Sequence, residues 1–463
     1  MAAQHIRIFC ITLGLLFAAT TGFAQIDTVN VSLEEFIERG LDNSGQVEFE
    51  RQKVRLAENR VDQARSRRIL PTFELNTQHG VVPGVKSNTN LPDDELYLDP
   101  DLENDWNNWA IFTRAEVKGI QPIFAWGAFN SAMQAAKAGA VAAREQFQAA
   151  RSVVEVRLYE LYYSYLLASE VNHLLEEAQN KIDEIEQKIE ERREEGSGEL
   201  DESDYFKFKV FKSEFAIRAA EVRENTRFIE ETWNYVLKAD SNTTYLPEEL
   251  FLDPVANKIQ SLNFYQQQAL AERSELKAAD ASIKAAKEGI DFTKSQNLPM
   301  FFLGLTGSFA DTPNRPRQDN PFIINNTNYA SAAVGFGIRQ NLNLFNIKSD
   351  IERSRIQYKQ TQYLKDAVTD GIMLQINERY RNANLSEVKV EKTDEAWVTS
   401  KKWLRQEQLD YDFGMGDTKD LIDAMKKELE LRVQLKREIF QFNKDMAELY
   451  NSAGLSVISL KTK

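Results

Sequence analysis

Two hydrophobic periodicities alternate along the chain, one helical and one of period two. Helical spacing is clearest over residues 128–195, where apolar side chains recur in alternating steps of three and four: Leu175, Ala178, Ile182, Ile185 and Ile189. That spacing is typical of a coiled-coil seam. At 1.5 Å per residue the helix would be about 100 Å long. The pattern predicts long helices interrupted by short β-segments.

Four segments, 72–82, 109–120, 300–309 and 330–342, alternate apolar and polar residues. In the first, Phe73 and Leu75 alternate with Glu74 and Asn76. Each segment has about the length of a tilted membrane-spanning β-strand. The polar face collects Glu74, Asn76, Arg114, Glu116, Lys118 and Arg339. The alternative is an ordinary soluble hairpin packed on helices.

The segments that flank these strands also carry signals. Residues 83–108 are rich in acids and predict a solvated surface loop, and Trp106 and Trp109 at its end fit an aromatic girdle at a lipid–water boundary. After the second strand, Pro122 and Gly127 predict a hinge that ends the strand and starts the long helix.

The sequence contains an internal duplication of the same pattern of elements. Residues 25–240 form a predicted first repeat, 241–261 a linker or equatorial region, and 262–463 a second repeat. The first has predicted helices at 33–43, 46–69, 128–195 and 201–238; the second has them at 262–296, 347–412 and 418–452. In each half, the lengths of two shorter predicted helices nearly add up to that of the long one: 46–69 and 201–238 in the first half, and 262–296 and 418–452 in the second. We therefore expect the two shorter helices to stack end to end beside the long helix.

Each half also contains a predicted helical tip, at about 196–204 and 411–420. Both are glycine turns, Gly198 and Gly414, with an acid six residues on, Asp204 and Asp420. Asp420 and Asp423 lie three residues apart and so share a helix face. Such acids, repeated by symmetry, would ring a pore and select cations. The alternative for Asp420 is a favourable charge at a helix N-terminus.

Composition narrows the class. The 463 residues carry a net charge of -14, which disfavours nucleic acid as a partner. Residues 1–24 predict a secretory signal peptide, with Arg7 before an apolar run and small residues before Gln25. An uncleaved anchor is the alternative, but the run is short for a bilayer. The one cysteine, Cys10, lies in this segment, so we expect no disulfide and no cysteine metal site in the mature chain. No metal-ligand cluster or cofactor motif is predicted either.

Four strands cannot close a barrel, and open edges are not tolerated in lipid. Three copies would supply twelve strands, a number found in outer-membrane barrels. The predicted fold class is therefore mostly α with a transmembrane β-barrel: a trimer whose 12-stranded barrel is continued by an α-helical periplasmic tunnel.

This plan resembles the TolC family of outer-membrane efflux proteins over nearly the whole mature chain. The most specific match is Asp420-Leu421-Ile422-Asp423-Ala424, which resembles the family's acidic motif at the tip of the inner hairpin. The resemblance implies that Asp420 and Asp423 ring the periplasmic entrance, with Tyr411 and Asp204 as gate tyrosine and acidic partner. Packing is an equal alternative for Tyr411. The sequence departs from the family at Gly416, where a basic gate residue is expected; Lys419 is a candidate substitute.

The resemblance further implies a passive exit duct in the outer membrane of a Gram-negative bacterium. Its implied partners are outer-membrane lipid, a periplasmic adaptor and an inner-membrane transporter of an efflux or type I secretion system. A soluble periplasmic coiled-coil scaffold or adaptor is the alternative, although it gives no reason for exposed apolar strand faces. An enzyme is disfavoured, since only His79 and His173 remain in the mature chain and no catalytic motif occurs.

Overall fold

The computed structural model describes residues 27–86, 103–194, 202–240, 243–315, 326–413 and 415–460. The predicted signal peptide, most of the acidic loop and both turn glycines, Gly198 and Gly414, lie outside these ranges. The strands are β1 (Asp27–Val31), β2 (Thr72–Lys86), β3 (Glu103–Phe124), β4 (Thr243–Pro247), β5 (Met300–Asp311) and β6 (Tyr329–Arg339). The helices are α1 (Leu33–Asn43), α2 (Gly45–Ile69), α3 (Ala128–Glu194), α4 (Glu202–Leu237), α5 (Leu262–Glu272), α6 (Ser274–Gln296), α7 (Leu344–Asp412) and α8 (Thr418–Ser452).

The duplication predicted from the sequence is confirmed by the order and length of these elements. Each half runs two helices, two strands and two helices. The helices α1, α2, α3 and α4 have 11, 25, 67 and 36 residues. Their counterparts α5, α6, α7 and α8 have 11, 23, 69 and 35. Even the first caps correspond, because Ser32 and Ser261 each accept a hydrogen bond from the backbone N–H three residues on.

The chain divides into two compact units. The helical unit takes its residues from 1–51, 147–276 and 368–463, and the sheet unit from 52–146 and 277–367. Aromatic packing forms the core of the helical unit: Phe36 stacks on Trp233 with ring centroids 4.1 Å apart, and Tyr162 lies 5.4 Å from the same indole. All three rings are fully buried, which makes this cluster a large apolar contribution to folding.

The predicted seam of the first long helix is confirmed. Ile182 and Ile189 are buried, and they belong to one cluster with Phe208, Phe211 and Phe215 of α4. Alternating three- and four-residue spacing keeps one stripe of α3 turned toward its partner helix, as in a coiled coil. The first hairpin is thus held together by its hydrophobic seam.

Two features of the helical unit differ from the prediction. The linker 241–261 contains β4, which pairs in parallel with β1 along all five residues of each. Two short parallel strands that are far apart in the sequence give no local indication that they pair. The predicted helix 262–296 is broken at Arg273, whose backbone is extended. The buried Arg273 guanidinium donates to the carbonyl oxygen of Asn451 at 3.0 Å, and this tertiary contact accompanies a break that the local pattern does not indicate.

The sheet unit holds one antiparallel sheet in the order β2-β3-β5-β6, so β2 and β6 are its edges. Strands lie at all four predicted places, but three parts of the prediction are wrong. The loop 83–108 is shorter, since β2 continues to Lys86 and β3 begins at Glu103. β6 stops at Arg339 rather than at 342.

The third difference concerns the predicted hinge. Pro122 does not end β3, because the strand continues to Phe124 with a register irregularity between Pro122 and Phe124. A bulge tolerates proline because one backbone N–H there is left out of the ladder. Gly127 does lie at the turn into α3, with a φ of 86° that suits glycine.

Aromatic rings cover glycines between paired strands of this sheet. Phe73 lies opposite Gly119, Phe112 opposite Gly80, and Phe302 opposite Gly337. A Cβ placed on any of these glycines would come within 2.5–2.7 Å of the facing ring. Each glycine therefore makes room for the aromatic side chain across from it, which fixes the register at these pairs.

None of the described helices has a stretch long and apolar enough to cross a membrane.

We predict that Asn443→Ala strongly destabilises the helical unit. Asn443 is fully buried; its Oδ1 accepts from the Val255 N–H and its Nδ2 donates to the Asp253 carbonyl, both at 2.9 Å. The substitution leaves both backbone groups unsatisfied, at a cost of about 3 kcal/mol. Denaturant unfolding followed by far-UV circular dichroism measures it. Gln434→Ala, at an exposed position of the same helix, should change stability by less than about 0.5 kcal/mol; equal effects would contradict the prediction.

Candidate functional site

One face of the four-stranded sheet is apolar and exposed. The pairing aligns Phe73 with Gly119, Leu305 and Val334, and it aligns Leu303 with Phe336. Val334 and Phe336 are 71% and 85% exposed. Other exposed members of the face are Leu75, Val81, Trp109, Ile111, Val117, Phe301, Phe309 and Ile338. A contiguous apolar surface of this kind marks an interaction with lipid or protein.

The opposite face is polar, and it brings together the six side chains predicted from the alternation. The register pairs Glu74 with Lys118, Asn76 with Glu116, and Arg339 with Met300 on the same face. Four of the six contact one another in pairs: the Lys118 Nζ lies 2.8 Å from the Glu116 carboxylate. The Asn76 amide donates to Glu74 at 3.1 Å. Arg114 completes the set and donates to the Asn326 carbonyl.

The second tip connects α7 to α8 through residues 413–417. Tyr411 is in the last turn of α7 and is buried. The backbone N–H groups of Met415 and Gly416 both donate to the Asp410 carbonyl at 2.9 Å, which closes the end of the helix. Asp417 caps α8 by accepting from the Lys419 N–H at 3.1 Å.

Asp420 and Asp423 lie in the first two turns of α8, and both are exposed. The residues between and after them, Leu421, Ile422 and Ala424, are buried. Within the described ranges neither carboxylate has an ion-pair or hydrogen-bond partner in this chain. The helix therefore packs through its apolar face and presents two acids on the other, as their three-residue spacing predicts.

At the first tip, Gly198 lies outside the described residues. Asp204 falls inside α4, which begins at Glu202, rather than in the turn. Beside it, Lys209 makes an ion pair with Glu186 at 2.6 Å, and this hydrogen bond raises the pKa of Lys209 to about 12. Lys209 therefore stays charged at any physiological pH.

Sequence reasoning missed one contact near the tips. The Lys188 Nζ of α3 lies 2.9 Å from the Asp412 carboxylate at the end of α7, so it joins the two helical hairpins. Both side chains are nearly half exposed, which limits the energy of a single pair to about 1 kcal/mol. No local pattern could indicate it, since the partners are 224 residues apart.

A groove of about 650 Å³ runs along the helical unit between α4 and α8. Its floor is apolar, with Phe211 and Phe215 from one helix and Leu429 and Val433 from the other. Its rim is charged and includes Glu214, Arg218, Lys426 and Glu430, which face one another in pairs at 3.8–3.9 Å.

The two histidines in the described part of the chain lie in separate settings. His79 contacts the Thr113 hydroxyl at 3.2 Å, and His173 contacts the Glu177 carboxylate at 3.2 Å on α3. Among the residues that the structure describes, no group of three His, Cys, Asp or Glu could hold a metal ion.

We predict that Gly416→Ala destabilises the second tip. A Cβ at Gly416 would lie 2.7 Å from the Tyr411 nitrogen and 2.9 Å from the Asp410 carbonyl carbon, so the backbone must move. We expect a cost of about 1–3 kcal/mol and faster proteolysis at residues 413–417. In this backbone there is no room for a basic side chain at position 416.

The matched control is Gly371→Ala in α7, where a Cβ meets nothing within 4 Å. It should be neutral or stabilise by up to about 1 kcal/mol, because alanine favours a helix over glycine. Equal stability and equal proteolysis of the two variants would overturn the steric account of Gly416.

No family model matches the sequence, and no curated protein matches it. Solved structures do. The Campylobacter jejuni CmeC outer membrane channel superposes with a TM-score of 0.70 at 14% identity, covering 91% of this chain and 85% of that one. The outer membrane protein VceC of Vibrio cholerae gives 0.67 at 15% identity, over 92% and 96%.

The open state of the Neisseria gonorrhoeae MtrE outer membrane channel gives 0.70 at 12% identity, over 93% of each chain. These identities are low, so the likeness concerns the fold. The chain therefore has the fold of bacterial outer-membrane channels, which confirms at that level the resemblance to the TolC family.

Proposed function

We propose that this protein is the outer-membrane exit duct of a tripartite efflux or type I secretion system. Three copies form a passive channel from the periplasm to the exterior, and a pump in the inner membrane supplies the energy. In this proposal the chain itself catalyses no reaction.

The observation that carries the proposal is the exposed apolar face of the sheet in the sheet unit. Its large side chains, such as Val334 and Phe336, would be costly in water, at about 25 cal/mol for each Å². Lipid removes that cost. A soluble scaffold, the alternative, leaves this face unexplained. In water, the sheet would have no reason to expose an apolar surface on the side opposite its polar residues.

The two edge strands of the sheet determine how many copies of the chain the duct needs. β2 and β6 each have one unpaired side in this chain, and lipid offers no hydrogen-bonding group to satisfy it. Pairing β6 of one copy with β2 of the next satisfies both edges, and three copies close twelve strands. The six polar residues from Glu74 to Arg339 then line a wet lumen.

The second tip forms the periplasmic entrance of the proposed duct. In a trimer, Asp420 and Asp423 give six exposed carboxylates around the axis, a charge ring that favours cations. Tyr411, Asp204 and the Lys188–Asp412 pair are the proposed gate contacts. Since Gly416 has no room for a side chain, Lys419 on the first turn of α8 is the basic residue we propose for a closing contact.

The groove between α4 and α8 is the proposed docking place for helices of a periplasmic adaptor. An amphipathic helix fits a groove with an apolar floor and a charged rim. Ion pairs of the rim, such as Arg218 with Glu430, are long and exposed, so they cost little to exchange for pairs with a partner.

Single-channel conductance of the mature protein in a planar bilayer tests the function. We expect cation-selective openings that a trivalent cation blocks from the side of the helical tips. In Asp420→Ala/Asp423→Ala the blocking concentration should rise about tenfold or more, because the charge ring is gone. The control Asp366→Asn/Asp370→Asn removes two exposed acids from α7 and should leave the block unchanged.

The outcomes separate the parts of the proposal. Openings with unchanged block in the Asp420/Asp423 variant would keep the duct and remove the ring. A protein that stays soluble and never inserts would overturn the duct and favour the scaffold.

A further inference from the structure

Trp126 is held in a conformation that tryptophan rarely adopts. Its φ is 49°, in the left-handed region where a Cβ crowds the backbone. Its indole Nε1 donates to the Pro299 carbonyl at 2.7 Å, yet 48% of the residue stays exposed. Unusual backbone conformations of this kind are concentrated at functional sites, and the exposed part of the ring is available to a partner outside this chain.

Trp126 is part of an aromatic cluster at one end of the apolar face. Its ring lies 5.1 Å from Phe124, which lies 6.2 Å from Phe301. Phe124 is the register partner of Phe301, a member of the apolar face, and Leu298 beside it is also exposed. We name Phe124, Trp126, Leu298 and Phe301 the inner belt.

The position of the inner belt matches the thickness of a bilayer. Trp109 lies near the other end of β3, and Phe124 follows it by 15 positions of the same strand. At about 3.3 Å per residue and a tilt of about 45°, the two are roughly 35 Å apart along a membrane normal. This is between the thickness of the hydrocarbon core and that of the whole bilayer. Aromatic rings with a polar tip favour both boundaries.

A second copy of the chain is a poor candidate for covering this belt. Phe124 is on β3 and Phe301 is on β5, the two inner strands, and Trp126 and Leu298 lie just beyond them, whereas copies would pair through the edges β2 and β6. Because the belt continues the apolar face, the surface that would contact lipid extends to these rings.

Two arginines lie at the same end of the sheet as the belt. Arg67 and Arg68 are in the last turn of α2, and both are exposed. Thr72 pairs with Ile120, so Arg68, four residues before Thr72, and Phe124, four after Ile120, lie beyond the same end of the strand pair. Arg65 is paired with Asp62 at 3.6 Å. Within the described residues, Arg67 and Arg68 have no ion-pair partner.

We propose that the inner belt together with Arg67 and Arg68 binds an anionic glycerophospholipid of the periplasmic leaflet. The guanidinium groups take the headgroup phosphates, and the rings of Phe124 and Trp126 contact the upper acyl chains. The proposal rests on the proposed function, since it requires the sheet to be in a membrane.

Native mass spectrometry of the full-length mature protein, released from a mild detergent, tests the headgroup. The probes are phosphatidylglycerol and phosphatidylcholine. We expect phosphatidylglycerol to be retained in preference, and Arg67→Gln/Arg68→Gln to lower that preference about fivefold for each arginine. The matched control, Arg55→Gln/Arg60→Gln, removes two exposed arginines from the same helix and should keep the preference.

An unchanged preference in Arg67→Gln/Arg68→Gln would overturn the headgroup site. Conductance of the same variants in pure phosphatidylcholine separates this from the proposed function. If the unaltered protein inserts and conducts but shows no preference for phosphatidylglycerol, only the lipid site fails; if the unaltered protein does not insert at all, the duct itself fails.

Tryptophan quenching tests the belt. Vesicles carry lipid brominated either near the headgroup or near the chain end, and the Trp126 signal is the difference between the unaltered protein and Trp126→Phe. We expect the shallow bromine to quench this difference signal at least twofold more than the deep one. No quenching by either lipid would mean that protein covers Trp126, and it would overturn the proposal.

Discussion

The proposed duct depends on one constraint: a backbone group placed in lipid must find its hydrogen-bond partner within protein. The sheet satisfies the constraint along β3 and β5 and leaves it open along β2 and β6. Because its apolar face is costly in water, we propose that the sheet has lipid on that face and another copy at each edge. The proposed trimer and its polar lumen follow from this requirement.

Duplication is how the sequence builds the sheet. Two nearly equal repeats each supply one hairpin, and the register joins the hairpins through β3 and β5 so that their polar residues share a face. Glycines opposite Phe73, Phe112 and Phe302 hold that register, because a side chain at those positions would displace the ring. The same duplication places a helical tip in each half, and the second tip exposes Asp420 and Asp423.

Local pattern was sufficient for most of the fold. Period-two alternation identified all four strands and both faces of the sheet, and helical spacing identified the seam through Ile182 and Ile189. The errors lie where distant contacts decide the backbone. Arg273 breaks a helix where it bonds to the Asn451 carbonyl, and β4 exists because it pairs with β1. Neither contact can be seen in a window of neighbouring residues. Likewise, the acids of the tip could be found from sequence, whereas the Lys188–Asp412 pair and the steric demand at Gly416 could not.

Closure of the barrel is the central claim, and disulfide trapping tests it most directly. The only cysteine, Cys10, is in the predicted signal peptide, so engineered cysteines would be the only thiols of the mature chain. Leu75→Cys on β2 is combined in turn with Ala330→Cys, Ala332→Cys and Val334→Cys on β6, since these positions share the apolar face. A disulfide needs Cα atoms about 4.4–6.8 Å apart, so one register should react best. The account predicts a covalent species that stops at three copies and keeps its conductance. Dimers alone, an unending ladder of oligomers, or no cross-link in a membrane-inserted protein would contradict it.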